Sequence, residues 1–388
     1  MSVPLLMLKE LGTIHTGSTP KTNDESLFGG DVPFVTPGDL DAVSPIQRTP
    51  RTLTEAGVKT ADLLPAESVL VCCIGSLGKI GFAGRPVVTN QQINAVVFNP
   101  AKVHARYGFF ACRMLKPQLE LMAPATTVPI VNKSRFSELR IPVPPLEEQR
   151  RIASILDQAE TLRTQRRQAL AHLDTLTQSL FLDMFGDPVL NPKGWPTREL
   201  QDVVKPGAIV TYGIVQAGDE FPGGVPYIRT GDLVKGSIRL SELRHTDPEL
   251  AAKFSRSRVE VNEIVMSIRA TVGTTALIPA ELDGANLTQG TARIAPGEDM
   301  HFYYLLYFLR SDSTQHWIDR QVKGATFREI TLGRLRELPV LVPPLALQQT
   351  FATRIQAIEA LKTTHRTALA QLDALFASLQ QRAFAGAL

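Results

Sequence analysis

The stretch PVPPLEEQRRIASILDQAETLRTQRRQAL, residues 142–170, opens on three prolines and then runs on with no helix breaker. It returns as VLVPPLALQQTFATRIQAIEALKTTHRTAL, residues 340–369. At the offset that carries Pro145 onto Pro344, Gln149 meets Gln348, Glu160 meets Glu359 and Arg167 meets Arg366. Leu173-Asp174 then meets Leu372-Asp373, and Ser179-Leu180 meets Ser378-Leu379. A repeat of this length organises a chain before any local propensity does.

Both copies read as long helices. Proline suits the first helical turn, and Glu147 and Glu148 favour the positive end of the helix dipole. In the first copy Ile152, Ile155, Ala159, Leu162, Arg166, Ala169, Leu173, Leu176 and Leu180 step by alternating threes and fours, a heptad seam. The second copy gives Phe351, Arg354, Ile358, Leu361, His365, Ala368, Leu372, Leu375 and Leu379, with Ile355, Leu369 and Phe376 widening the stripe. Gly186 before Asp187-Pro188 stops the first helix, and Gly386 stops the second. The spacing predicts helices over 147–184 and 346–384. Two stripes of equal length predict that they zip together as an antiparallel coiled coil in a pseudo-twofold arrangement, with Arg166 and His365 setting register. Docking of each helix on its own globular unit is the alternative.

Upstream of each helix the similarity is thinner but keeps its order. VPFVTPGDL (32–40) parallels VPYIRTGDL (225–233), and VLVCCIGSLGKIGFA (69–83) parallels EIVMSIRATVGTTALI (263–278). TNQQINAVV (89–97) loosely parallels NLTQGTARI (286–294), and ATTVPIVNKSRFSEL (125–139) parallels GATFREITLGRLREL (324–338). Short β-like runs punctuated by Gly, Pro and Asn fill both units. A covering helix is expected in each, over 105–116 and 300–322. The fold class is therefore α+β: two similar units of mostly antiparallel strands with covering helices, separated by two long antiparallel coiled-coil helices. The boundaries are 1–143, 144–186, 187–342 and 343–388.

The bulk numbers fit a folded, two-domain protein. Of 388 residues, 44% are hydrophobic and 20% charged, which excludes a disordered chain. No run of eighteen apolar residues occurs, and MSVPLLMLKELG is too short for a signal peptide. Cys72, Cys73 and Cys112 form no CxxC pair, so a reducing cytoplasm is the expected compartment. A net charge of +3 permits a polyanionic partner without demanding one. Arg150, Arg151, Arg163, Arg166 and Arg167 interleave with Glu147, Glu148, Asp157 and Glu160, which describes a salt-bridged face, open also to a protein partner.

No catalytic constellation stands out. GSLGKIG (75–81) has the wrong spacing for a phosphate loop and no hydroxyl after Lys79. His15, His104, His172, His245, His301, His316 and His365 lack metal-ligand spacing. The Asn-Pro segments NPAK and NPKG lack the second proline and aromatic ring of an adenine-methylating site. The expectation is no active site and no metal or cofactor in this chain.

On these residues the sequence resembles the specificity subunits of type I restriction-modification enzymes. The resemblance is carried by PPLEEQRRIASILD with its copy PPLALQQTFATRI, and by TGSTPKT followed by DVPFVTPGDL with its copy GGVPYIRTGDL. IGSLGKIG, IRATVGTT and NPKGWPTREL extend it over nearly the whole chain, although MSVPLLMLKELGTI lacks the tryptophan of GWPTREL. The resemblance implies two target-recognition domains, each reading one half of a split asymmetric sequence in double-stranded DNA, with the helices fixing the unread spacer. It also implies two modification subunits, which hold S-adenosylmethionine and methylate adenine N6, and two restriction subunits that use ATP and Mg. A non-catalytic two-domain protein scaffold that reads no DNA is the alternative.

Base readout calls for Arg, Lys, Asn, Gln, Ser or Thr at loop tips. In the first unit the candidates are Ser18, Thr19, Lys21, Ser76, Lys79, Asn90, Gln91, Gln92, Asn132, Lys133 and Arg135. In the second they are Tyr212, Arg229, Arg269, Thr271, Thr274, Gln289, Lys323, Thr326 and Arg328. Such glycine-rich polar tips recur at equivalent places in both units.

Overall fold

Each lobe closes on itself before its helix begins. In the computed structural model, which describes residues 3–123, 128–234, 236–324 and 328–388, Leu5–Met7 pairs antiparallel with Arg140–Pro142. Thr197–Glu199 pairs in the same way with Pro339–Leu341. The first and last strands of a lobe thus meet beside the proline pair that precedes its helix. The helices span Leu146–Phe185 and Leu345–Phe384, 40 residues each, or about 60 Å at 1.5 Å per residue. The expected spans lie inside them.

The strand order repeats between the lobes. Gly12–Thr16, Ile93–Phe98, Val69–Cys72 and Ile80–Phe82 form an antiparallel sheet in that order. Thr211–Tyr212, Thr291–Ile294, Ile264–Ser267 and Thr275–Leu277 form its counterpart. A smaller sheet accompanies each. Phe28–Val35 lies between Thr52–Leu53 and Val88–Thr89, and Val225–Ile228 lies between Arg244–Thr246 and Asn286–Leu287. Each small sheet contains one parallel pairing. The register corrects one alignment. Cys72 faces Ile93, and its counterpart Ser267 faces Thr291, so TNQQINAVV and NLTQGTARI correspond one residue further along than their letters suggest. The expected helix over 300–322 is two, Phe302–Arg310 and Asp312–Gln321. Ser311 between them is extended, and its hydroxyl caps the second by accepting from Thr314 N.

The chain divides into two compact units, Met1–Gln168 with Arg366–Leu388, and Ala169–His365. In the first, Tyr107, Phe109 and Phe110 of the helix Ala105–Arg113 pack with Ile152, Ala153, Leu156 and Ala159 of the central helix. Phe376 and Ala383 of the C-terminal helix complete that core. Phe110 lies 6.3 Å from Phe376 between ring centroids. Here the helix segments run antiparallel: Arg151 Nη1 donates to the Leu388 carbonyl (3.3 Å), and Arg163 Nε to Asp373 Oδ1 (2.6 Å). In the second unit, Phe181, Phe185 and Phe351 surround Tyr304, with Phe185 5.3 Å from Phe351 and 4.6 Å from Tyr304. The segments are again antiparallel, Lys362 Nζ meeting Asp174 Oδ1 at 2.8 Å while Phe351 meets Phe185.

Both arrangements open to the stripes are realised at once. Each helix segment packs on the other helix and on a lobe, and that double demand rotates the buried face away from the expected seam. Ile152, Ala159, Phe351 and Ile358 are buried as expected, and Leu173, Leu180 and Leu379 pack against the cores. Ile155 and Leu372 are only half-buried, as are Arg166 and His365. Leu162, Leu176, Leu361 and Leu375, placed in the seam by heptad spacing, are 49%, 51%, 52% and 49% exposed. Leu156, Ile355 and Phe376 take the buried places. Leu156, Thr177 and Met184 are buried at multiples of seven, as are Ile355, Lys362, Phe376 and Ala383, so the buried line keeps the heptad period and shifts its position around each helix.

The glutamine shared by both repeats has a structural reason. Gln149 is fully buried; its Nε2 donates to the Pro144 and Lys102 carbonyls (2.8 and 3.0 Å), and its Oε1 accepts from His104 N (2.8 Å). Gln348 makes the same three bonds, to the Pro343 and Asp299 carbonyls and from His301 N. Tyr107 and Tyr304 add equivalent bonds to the carbonyls of Pro142 and Leu341. Each clamp ties a long helix's first turn to the start of its lobe's covering helix.

Two outcomes follow. Gln149→Ala or Gln348→Ala leaves three backbone groups, one of them in a fully buried bond, without their side-chain partner and should lower unfolding free energy by about 2 kcal/mol, read in urea melts; a loss under about 0.5 kcal/mol would contradict the clamp. The three cysteines are buried and unpaired. Burial raises all three thiols, Cys73 to about 12, so iodoacetamide at pH 8 should leave the native chain unmodified and label three sites after unfolding.

Candidate nucleic-acid interface

Four loops converge at one end of each lobe's larger sheet, because its strands stop there together. In the first lobe the turn after Gly12–Thr16 runs against the one after Val88–Thr89. A Cβ on Gly17 would lie 2.2 Å from the Asn90 carbonyl, so only glycine lets the backbones approach this closely. Ser18 N donates to the Thr89 carbonyl (3.0 Å), and Thr19 Oγ1 donates to Gln91 Oε1. Gln92 Nε2 reaches the Ile74 carbonyl (3.5 Å) and draws in the loop carrying Ser76 and Lys79. Gly75 N donates to the Pro129 carbonyl (2.9 Å), which brings the 128–132 segment alongside. Ser18, Thr19, Ser76, Gln91 and Gln92 are therefore brought together.

The other first-lobe candidates divide by what holds them. Asn90 is buried and committed, its Nδ2 donating to Gln92 Oε1 (2.9 Å) and its Oδ1 accepting from Gln92 N (3.2 Å). Those two bonds shape the turn. Asn132 caps the helix Lys133–Ser137 by accepting from Arg135 N (2.9 Å), and Arg135 Nη1 donates to the Met122 carbonyl (3.1 Å). Both side chains anchor the local backbone, and both residues are exposed. Lys133 is exposed, as is Lys21. Lys79 lies 3.6 Å from Asp41 and lines a groove of about 430 Å³ with Ser76, Arg113 and Lys116.

The second lobe repeats the plan with different chemistry. A Cβ on Gly213 would lie 1.8 Å from the Leu287 carbonyl, the same close crossing. Gln289 N donates to the Ile214 carbonyl (3.0 Å), Ile268 N to the Gly290 carbonyl (2.9 Å), and Ala270 N to the Arg328 carbonyl (3.0 Å). These bonds gather the loops carrying Tyr212, Gln289, Arg269, Thr271 and Arg328. Thr274 Oγ1 donates to the Thr271 carbonyl (2.9 Å) and rigidifies its own turn. Lys323 N and Glu329 N exchange bonds with each other's carbonyls, leaving the Lys323 side chain exposed at the rim. Thr326 lies outside the described residues.

The arginines are held by carboxylates. Arg229 grips Asp232 through Nε and Nη2 (3.0 and 2.7 Å), Arg269 Nε donates to Glu329 Oε1 (3.0 Å), and Arg328 Nη2 donates to Asp319. Glu329 and Asp319 escaped the sequence reading because no spacing rule links Arg269 to a residue on a distant loop. The Gly-Asp motif also has a local explanation. Asp39 and Asp232 accept from the backbone N–H three residues earlier, Thr36 and Arg229, both at 2.8 Å, and so close the turn. Left-handed backbone marks one tip in each lobe, Gly75 with φ +77° and its counterpart Ala270 with φ +58°. The alanine carries strain there that glycine avoids.

Among the described residues, no three His, Cys, Asp or Glu side chains gather to hold a metal ion, and no helix is long and apolar enough to cross a membrane. What the loops offer is two sets of hydroxyl, amide and guanidinium groups, the donors and acceptors with which base edges and phosphates are contacted.

Known proteins give this geometry its context. The type I restriction modification DNA specificity domain matches residues 6–172 and again 192–374. The chain is 26% identical to the type I restriction enzyme MjaIX specificity subunit of Methanocaldococcus jannaschii, over 90% of its own length and 85% of that protein. It is 23% identical to the EcoBI specificity subunit of Escherichia coli, over 83% and 74%. Its fold resembles the type I restriction-modification S subunit from M. genitalium (14% identity, TM-score 0.60, 98% and 96% covered). It also resembles a chain solved in work on complex assembly and conformational transition of the type I R-M system (19% identity, TM-score 0.55, 100% and 98% covered). With the specificity domain present twice on a duplicated α+β frame, the chain belongs to the family of type I restriction-modification DNA specificity subunits.

Proposed function

We propose that each lobe reads one half of a bipartite, asymmetric duplex DNA site and that the helix pair sets the spacer between the halves. The observation that carries this reading is the repetition of one loop constellation with different side chains. Thr16, Ser18, Ile74 and Ser76 stand in the first lobe where Tyr212, Ile214, Arg269 and Thr271 stand in the second, while Gln91 and Gln289 are shared. One frame bearing two unlike readers selects two unlike half-sites, whereas a symmetric dimer reads palindromes. Half-sites approached from one face of the duplex lie about 34 Å apart per helical turn, a span that a helix of about 60 Å accommodates.

On this reading the chain performs no chemistry. Two modification subunits, docked on the helices and lobes in the cytoplasm, would hold S-adenosylmethionine and methylate adenine N6. Two restriction subunits would use ATP and Mg. The net charge of +3 and the carboxylate-held arginines support a reader that relies on its partners for much of the phosphate neutralisation. Alone it should bind duplex DNA weakly, with a shallower salt dependence than the assembled complex. The family assignment favours DNA reading over a scaffold without it.

The test is selection from random-sequence duplexes by the chain assembled with modification subunits, followed by sequencing. Two short constant blocks at one separation are expected; a library recovered without enrichment would return the scaffold reading. Exchange of residues 190–340 for the corresponding lobe of another member should change one block and leave the other intact. Arg269→Ala should weaken binding at least tenfold and relax the second lobe's block alone.

A further inference from the structure

The helix pair buries charge where a plain coiled coil would bury leucine. In the first unit Glu160 is 8% exposed and receives Arg163 Nη1, whose Nε bonds Asp373 Oδ1 across the pair at 2.6 Å. Arg167 braces both carboxylates at 3.2 Å. In the second unit Lys362 is 4% exposed; its Nζ meets Glu359 Oε1 at 3.0 Å and, across the pair, Asp174 Oδ1 at 2.8 Å. At the repeat offset Glu160 becomes Glu359, Arg163 becomes Lys362, and Asp373 corresponds to Asp174. The same triad is built twice, with reciprocal membership.

The partner opposite each cation matches the cation. Arg163 lies 4.4 Å over the Phe376 ring, a contact a planar guanidinium makes well. At the position equivalent to Phe376 stands Thr177, whose hydroxyl accepts from Lys362 Nζ at 3.2 Å. An ammonium needs such an acceptor when buried.

Between the two helices alone, an apolar stripe with steps of three and four comes back into contact after a slide of seven residues, so the helix–helix stripe discriminates poorly between registers. The triads do discriminate. Sliding the antiparallel helices seven residues in one sense would bring Arg163 opposite Arg366 and Lys362 opposite Arg167. In the other sense Arg163 would face Gln380 and Lys362 would face Phe181. Each wrong register either opposes like charges or strips a buried cation of its cross-pair carboxylate.

We propose that Glu160–Arg163–Asp373 and Glu359–Lys362–Asp174 are positioning residues that fix the register of the helix pair, and thereby the single spacer length the complex accepts. This rests on the bipartite reading above. The triads select among registers and are not the main source of stability. Replacing buried ion pairs with well-packed apolar groups is often neutral or stabilising.

The test uses the full chain assembled with modification subunits and a library of duplexes carrying the selected blocks at graded separations. In the variant Glu160→Leu, Arg163→Leu, Glu359→Leu, Lys362→Leu, Asp174→Ala and Asp373→Ala, melting temperature should hold or rise. Both blocks should persist while recovered spacers spread over two or more lengths. A milder pair that keeps side-chain shape, Asp174→Asn with Asp373→Asn, should raise recovery of sites about three base pairs off length about tenfold over the native chain. Arg163→Lys with Phe376→Thr transplants the second unit's arrangement into the first and should restrict recovery to one length. If the native chain selects two blocks and the asparagine pair retains the native spacer with native stringency, the register assignment is overturned. If the native chain selects no blocks, the bipartite reading itself has failed.

Discussion

Everything in this molecule depends on where two long helices bury their apolar faces. Neither helix is stable alone in water, since its stripe would remain wet. Each segment solves this with two partners at once. In the first unit Phe376 packs beside Phe110 of a lobe while Leu156 shares the same core. In the second, Tyr304 of a lobe sits among Phe181 and Phe185 of one helix and Phe351 of the other. A lobe's orientation is therefore tied to its helices by packing and by the buried glutamine clamps, not by a flexible linker. That matters for reading DNA, because a loop tip can select a base edge only if its backbone is held firmly.

Specificity on this frame is divided between shape and side chains. The close crossings at Gly17 and Gly213 and the turns closed by Asp39 and Asp232 are shared by both lobes and set where the tips stand. The tips themselves differ. The first lobe presents hydroxyls and amides, and the second presents arginines already engaged by carboxylates. Shared geometry with unlike chemistry is what a reader of two different half-sites requires.

The repeat, the helices and the α+β lobes were legible in the sequence because they rest on local periodicity and on a long self-match. The face of each helix that is buried was not. Heptad spacing put Leu162 and Leu361 in the seam, but a face that must satisfy a lobe as well as a helix is chosen by tertiary packing, which favoured Leu156 and Ile355. Loop positions were legible as glycine-rich tips recurring in both units. The role of each side chain within them was not, since Asn90 and Asn132 reveal their internal bonds only once the loops are folded together. The arginine partners Glu329 and Asp319 depend on loop convergence that no sequence spacing encodes.

The central claim is that the helix pair acts as a ruler between two independent readers. Its most direct test inserts one heptad into each helix, after Gln168 and after Thr367, and compares the DNA sequences selected before and after. Seven residues add about 10 Å of helix, or about three base pairs at 3.4 Å each. A spacer lengthened by about that amount, with both half-sites unchanged, is the predicted result. A changed half-site with the original spacer would contradict the account.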